Sequence, residues 1–162
     1  MRRPVLALLS LSAGLLLGGC VFGGNLRPLM ALNMQLARVG SSHDPALRGD
    51  WLALIAGRQG REQVQLINIA TGMPVPLPGL NRPDAQPLSV SLDQRGERLA
   101  LVRVLDGRTE LVLYRRGLMA LEAVAMEPPG VPRRISLRAD GRELAVEVSR
   151  GGVWQVDLIQ VP

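Results

Sequence analysis

Lysine is absent from the 162 residues, so all 19 basic side chains are arginine. Aromatic residues are almost as scarce: Phe22, Trp51, Tyr114 and Trp154 are the full set. Four rings offer few platforms for stacking bases, and the arginines are spread along the chain rather than massed in one run. Both facts argue against a nucleic-acid partner. An all-arginine set is better explained by a GC-rich genome than by function. Cys20 is the only cysteine, which excludes an intramolecular disulfide. His43 is the only histidine, so the ligand types for a metal cluster are missing. No glycine-rich phosphate loop stands between a strand and a helix, and no cofactor is implied. Ser41-Ser42-His43-Asp44 sets the three residue types of a hydrolytic triad side by side, but a triad is assembled from distant segments, and neighbours in one loop cannot supply its geometry. With no nucleophile–base pair to assemble, the chain reads as a non-enzyme.

What the chain has is aliphatic residues in a repeating order. Hydrophobic residues make up 47% of it, and with so few aromatics Leu, Val, Ile and Ala must fill the core. The organising stretch runs from Ser91 to Arg116. Gly96 closes a polar turn, Leu99 to Val104 form an apolar strand, and Asp106-Gly107 suits the positive φ angles of a two-residue type I′ hairpin. Leu111 to Tyr114 make the return strand. Both runs are apolar at odd and even positions alike, which predicts a sheet covered on both faces. The same order recurs upstream, where Gly49-Asp50-Trp51-Leu52-Ala53-Leu54-Ile55 lies 47 residues before Gly96 to Val102 and the hairpin glycine Gly60 lies 47 before Gly107. Downstream, Gly141 to Val146 lies 45 residues after the central copy, followed by Gly151-Gly152 and the strand Val153 to Leu158. Short strands, hairpins and a period near 46 residues predict propeller blades. Trp51 and Trp154 are expected to be packing residues of those blades.

These motifs carry a resemblance. SLDQRGERLALV and ISLRADGRELAVEV resemble the S-P-D-G-[KR]-x-[LI]-A-[FV] core of the TolB-type, WD-like β-propeller repeat. Trp154-Gln155-Val156-Asp157-Leu158 resembles its closing strand and Ala70-Thr71-Gly72 its common exit. The resemblance covers about Asp44 to Leu158, with Leu92 and Leu137 standing where the family has proline. It implies an all-β chain, a partial β-propeller of about three four-stranded blades, near residues 41–80, 81–126 and 127–162. Three blades fall short of the four to eight of a closed ring. The expected solutions are a two-fold dimer of three-bladed halves, docking onto another envelope protein, or an open stack with one edge capped by the N-terminal segment.

The blades are preceded by a leader. Met1-Arg2-Arg3 is a cationic start, and Val5 to Leu17 is an apolar run of 13 residues, about 20 Å as a helix, too short for a bilayer core of about 30 Å. It reads as a secretory signal over residues 1–19. Leu17-Gly18-Gly19-Cys20 resembles the bacterial lipobox, which implies cleavage before Cys20 and lipid on its thiol. The formal charge then falls from +5 to about +3 with the loss of Arg2 and Arg3. Residues 20–40 form the lipidated tether and an N-terminal segment; residues 29–36 are expected either as a short helix or, as the leading candidate, as a strand completing the last blade. Met73-Pro74-Val75-Pro76-Leu77-Pro78 has proline at every second position, which restricts it to a sheet edge or an extended connection, and it suits the outermost strand of blade one.

The functional expectation is a lipid-anchored cell-envelope protein facing the periplasm, its blades serving as a non-enzymatic protein-binding or scaffold module. Its partners are the membrane, through the lipid, and an envelope protein or a second copy. The loops into blades two and three bring Arg82, Asp84, Arg133 and Arg134 forward as a partner surface. The competing reading is a small-ligand or glycan binder that uses the tunnel of a closed dimeric propeller.

Overall fold

In a computed structural model, which describes residues 26–162, three antiparallel sheets follow one another along the chain. Blade one contains β1 (Ser42–Arg48), β2 (Trp51–Arg58), β3 (Arg61–Asn68) and β4 (Met73–Val75), paired in that order. Blade two repeats it with β5 (Ala85–Leu92), β6 (Arg98–Leu105), β7 (Arg108–Arg115) and β8 (Ala120–Ala123). Among the described residues blade three has three strands, β9 (Val131–Leu137), β10 (Glu143–Arg150) and β11 (Val153–Gln160). The all-β partial propeller expected from the repeat is the architecture observed.

The hairpins have the chemistry read from the sequence. Gln59-Gly60, Asp106-Gly107 and Gly151-Gly152 all hold two consecutive positive φ angles, the type I′ signature that matches strand twist. The repeated glycine at Gly49, Gly96 and Gly141 has a second cause besides its positive φ. A Cβ on Gly96 would sit 2.6 Å from the Trp51 ring, and one on Gly141 would sit 2.9 Å from Arg98 Cδ. The glycine turns pack against the neighbouring blade, so side chains are excluded there twice over.

The blades stack face to face. Ala53, Ile55, Val64 and Leu66 of blade one meet Leu92, Leu99, Leu101 and Tyr114 of blade two in one core. The opposite face of blade two, with Ala100, Val102, Leu111 and Leu113, meets Leu137, Leu144 and Val146 of blade three. Hydrogen bonds between innermost strands add to this. Asp44 Oδ2 accepts the Val90 amide at 2.5 Å, and Ser91 Oγ accepts the Leu137 amide at 2.8 Å; each link spans 46 residues. The inner strands also share a bulge near a proline, beside Pro45, Pro87 and Pro132. Proline is tolerated at bulges because a ladder donor is dispensable there.

The proline-rich segment forms the outermost strand of blade one as expected. It pairs for three residues, and the prolines that follow cannot donate. Asn81 takes over: its side chain accepts the Val64 amide and donates to the Val64 carbonyl, both at 2.8 Å.

Residues 29–36 correct the leading expectation. They complete no blade; Met30–Ala37 is a helix, α1, lying on the outer face of blade one. Met, Leu, Ala and Gln are good helix formers, and Leu32 and Leu36, four apart, face Leu52, Leu54, Ala56 and Ile67 together with Val39. Deleting residues 26–38 is therefore expected to bare that apolar face, lowering the melting temperature and raising binding of a hydrophobic dye. An unchanged melt would show that α1 does not act as a cap.

Candidate functional site

Blade three departs from the double coverage expected of its strands. On β10, Leu144 and Val146 are buried against blade two, and Val148 on the same side of the strand is buried as well. On β11 the alternate residues Trp154, Val156 and Leu158 point the other way, 46%, 69% and 81% exposed. Trp154 is thus not the packing residue its repeat position suggested. Trp51 is: it packs against the core between blades one and two, with Gly96 on one side and the Arg116 guanidinium 4.7 Å from its ring centre.

Two of the four expected surface residues meet on blade three. Arg133 stands on β9 at the bulge beside Pro132, its guanidinium 4.1 Å from the centre of the Trp154 ring. It also donates to Glu147 at 2.6 Å, which fixes the stack from the side. Arg134, exposed, lies directly opposite Glu147 in the ladder. The sequence placed both arginines in a loop; β9 starts early enough to carry them on a sheet. No signal in the sequence paired Arg133 with Trp154, which lies 21 residues away on a strand two places along the sheet.

The other two, Arg82 and Asp84, form a bidentate ion pair at 2.9 and 2.7 Å, each about half exposed. They line a groove of about 520 Å³ between the hairpin ends of blades one and two, with Glu62, Gln86 and Asp106. Close by, the His43 ring lies 2.9 Å from Glu62, which also accepts a bond from Gln86. His43 thus contacts a glutamate from the adjacent hairpin rather than a serine. The arginines of blade three lie on β9 and the pair of the groove in the loop between β4 and β5, and among the described residues no hydrogen bond or ion pair links the two sets.

Several carboxylates are held in their charged form. The hydrogen bond from Arg82 keeps Asp84 below the usual aspartate range, and that from Arg150 does the same for Asp157. Glu62 is lowered by its bonds with His43 and Gln86. In each case the folded value lies below the unfolded one. The stabilisation is therefore complete above about pH 5 and lost as pH falls through the lowered values. Denaturant midpoints are expected to be level from pH 5 to 7 with respect to these groups and to drop below about pH 4, with a shallower drop for Asp157→Asn.

Cys20 and the lipobox residues Leu17, Gly18 and Gly19 lie outside the described residues. Among the described residues no helix is long and apolar enough to cross a membrane, and no cluster of three or more His, Cys, Asp or Glu side chains is gathered for a metal.

No family model matches the chain, and no curated protein is similar to it in sequence. Its fold does have likenesses among solved structures. Putative TolB from Agrobacterium tumefaciens superposes with a TM-score of 0.61 at 11% identity, over 74% of this chain and 46% of its own. TolB from Acinetobacter baumannii gives 0.57 at 16% identity, over 72% and 29%. The β-propeller domain of the Trilobed protease from Pyrococcus furiosus gives 0.50 at 12%, over 75% and 42%. The chain spans less than half the length of each. At such identities the likeness shows the fold: a stack of TolB-like propeller blades.

Proposed function

We propose that the chain is a lipid-anchored bacterial cell-envelope protein whose blades act as a non-enzymatic protein-binding or scaffold module. The lipobox-like Leu17-Gly18-Gly19-Cys20 supports the anchor, since two or more acyl chains on Cys20, at about 0.8 kcal/mol per buried methylene, hold a protein stably at a membrane. The TolB-like blades support an envelope location.

The observation that carries the binding role is the Arg133–Trp154 stack on an open sheet face, steadied by Glu147 and flanked by Arg134. Tryptophan and arginine are the residues that most often dominate protein interfaces, and a guanidinium already stacked and paired loses little freedom on docking. The Arg82–Asp84 groove is a second, more polar surface on the same stack. The glycan-tunnel reading needs blade one of one copy to pack on blade three of another, and α1 occupies the blade-one face this requires.

Two experiments test the halves separately. Cys20→Ser is expected to move the protein from the membrane to the soluble fraction and abolish incorporation of labelled fatty acid; retention in the membrane would sink the anchor. Crosslinking in cells followed by affinity capture is expected to recover an envelope protein, with recovery reduced about tenfold by Arg133→Ala or Trp154→Ala. Recovery unchanged by either, and by Arg82→Ala, would sink the binding role.

A further inference from the structure

The outer edges of the three blades differ. On blade one, β4 spans three residues, carries Pro74 and runs directly into Pro76 and Pro78. On blade two, β8 has four residues and presents Glu122. Short strands, prolines and charges keep an edge from pairing with another chain. β11 has the opposite character. It runs for eight residues, Val-Trp-Gln-Val-Asp-Leu-Ile-Gln, without proline, glycine or a cation, and its one charge, on Asp157, is held by Arg150. Among the described residues no strand pairs with its outer edge.

That edge borders a groove of about 630 Å³ whose far wall is Ala125, Glu127 and Pro128. The repeat identifies the groove. Leu144 pairs with Ile159 as Leu99 pairs with Tyr114, so residues 157–160 stand where residues 112–115 pair with β8. It is the place of a fourth strand.

We infer that β11 of a second copy of this chain fills it, paired antiparallel about a two-fold axis. Antiparallel edges of identical sequence are self-complementary, and the side chains select one register. Opposed residues share a face, so the axis must pass through a residue. An axis at Asp157 would set two carboxylates opposite each other, which is unfavourable. An axis at Val156 sets Val156 against its counterpart, Trp154 against Leu158 of the partner subunit, and Gln155 against Asp157 of the partner subunit. The outer face then holds six contiguous apolar side chains, three from each copy, and the polar residues match across the axis. Pairing of this kind closes after two copies. It goes beyond the binding role above, needs neither lipid nor foreign partner, and leaves Arg133 and Arg134, two strands away, open on both copies.

Light scattering of the full chain in detergent is expected to give twice the chain mass. Val156→Lys sets two ammonium groups face to face, and the mass is expected to halve; Val156→Asp is expected to do the same with two carboxylates, and the site is exposed enough for the fold, checked by circular dichroism, to persist. Val156→Cys is expected to form a disulfide between copies, located by peptide mass spectrometry at the introduced thiols rather than at Cys20. A wild-type monomer at tens of micromolar overturns the inference. If its β11 amides are already slow to exchange, a strand of the same chain fills the groove; if they slow only with envelope extract, a foreign strand does. A dimer that survives both charged variants and forms no such disulfide also overturns it, placing the contact elsewhere.

Discussion

Replacing Tyr114 by alanine is expected to cost about 3–5 kcal/mol of stability and to lower the melting temperature by roughly 10 °C or more. Tyr114 is fully buried on β7, in the core shared by blades one and two. Trp51, the other ring at this core, is held between Gly96 and Arg116 and has little freedom to fill the volume it leaves. Its hydroxyl donates to the Pro78 carbonyl at 2.8 Å, fastening the proline-rich exit of blade one to blade two. Burial raises the phenol above its ordinary value, so the group remains a donor throughout the working pH range. Tyr114→Phe separates the two contributions. It keeps the ring and leaves the carbonyl without its donor, for about 1–2 kcal/mol. If both variants melt together, the hydrogen bond rather than the ring volume would be the dominant contribution, and the packing account fails.

Gly96→Val is expected to destabilise by about 2–5 kcal/mol, through two effects that add. Gly96 holds φ at +64°, a conformation that costs a side-chain-bearing residue about 1–2 kcal/mol. Its Cβ would also enter the Trp51 ring, and overpacking of that kind costs about 1–3 kcal/mol. The ring has little room to retreat, since Arg116 lies over it and is held by Glu97 at 2.5 Å. Gly107→Ala supplies the comparison. Gly107 has a similar φ of +73° but nothing within 4 Å of an added Cβ, so only the backbone cost applies. Equal denaturant midpoints for Gly96→Val and Gly107→Ala would show that the turn does not press on blade one.

The parts of the fold legible in the sequence are those decided locally. Gly60, Asp106-Gly107 and Gly151-Gly152 declare their hairpins because two positive φ angles in a row tolerate few residues. Pro74, Pro76 and Pro78 declare an outer edge because they cannot donate. The repeated glycine declares the period. What the sequence hid depends on neighbours. Residues 29–36 place Leu32, Met34 and Leu36 at strand spacing, while Leu32 and Leu36 also fit a helix, so only the uncovered face of blade one decides between them. Trp154 occupies a strand like that of Leu113, yet one is exposed and the other buried, because blade two is followed by another blade and blade three is not. The site was legible in part for the same reason. Arg82 and Asp84, two residues apart, could be paired by eye, whereas Arg133 reaches Trp154 only through sheet register. Pro132, recurring 45 residues after Pro87, marks the bulge that puts Arg133 there.

Blade two is the one sheet of the three packed on both faces by other blades. A linear stack whose units touch only their neighbours unravels from its ends, and here the ends are unequal: α1 insulates one and the other is bare. In a single copy, with nothing paired to β11, opening should therefore begin at β10 and β11 and reach β6 and β7 last, so that amide exchange would draw a gradient from rapid in blade three to slowest in blade two. The protein then behaves as a keystone with two leaves of different hold, and the looser leaf is the one that bears Arg133 and Trp154.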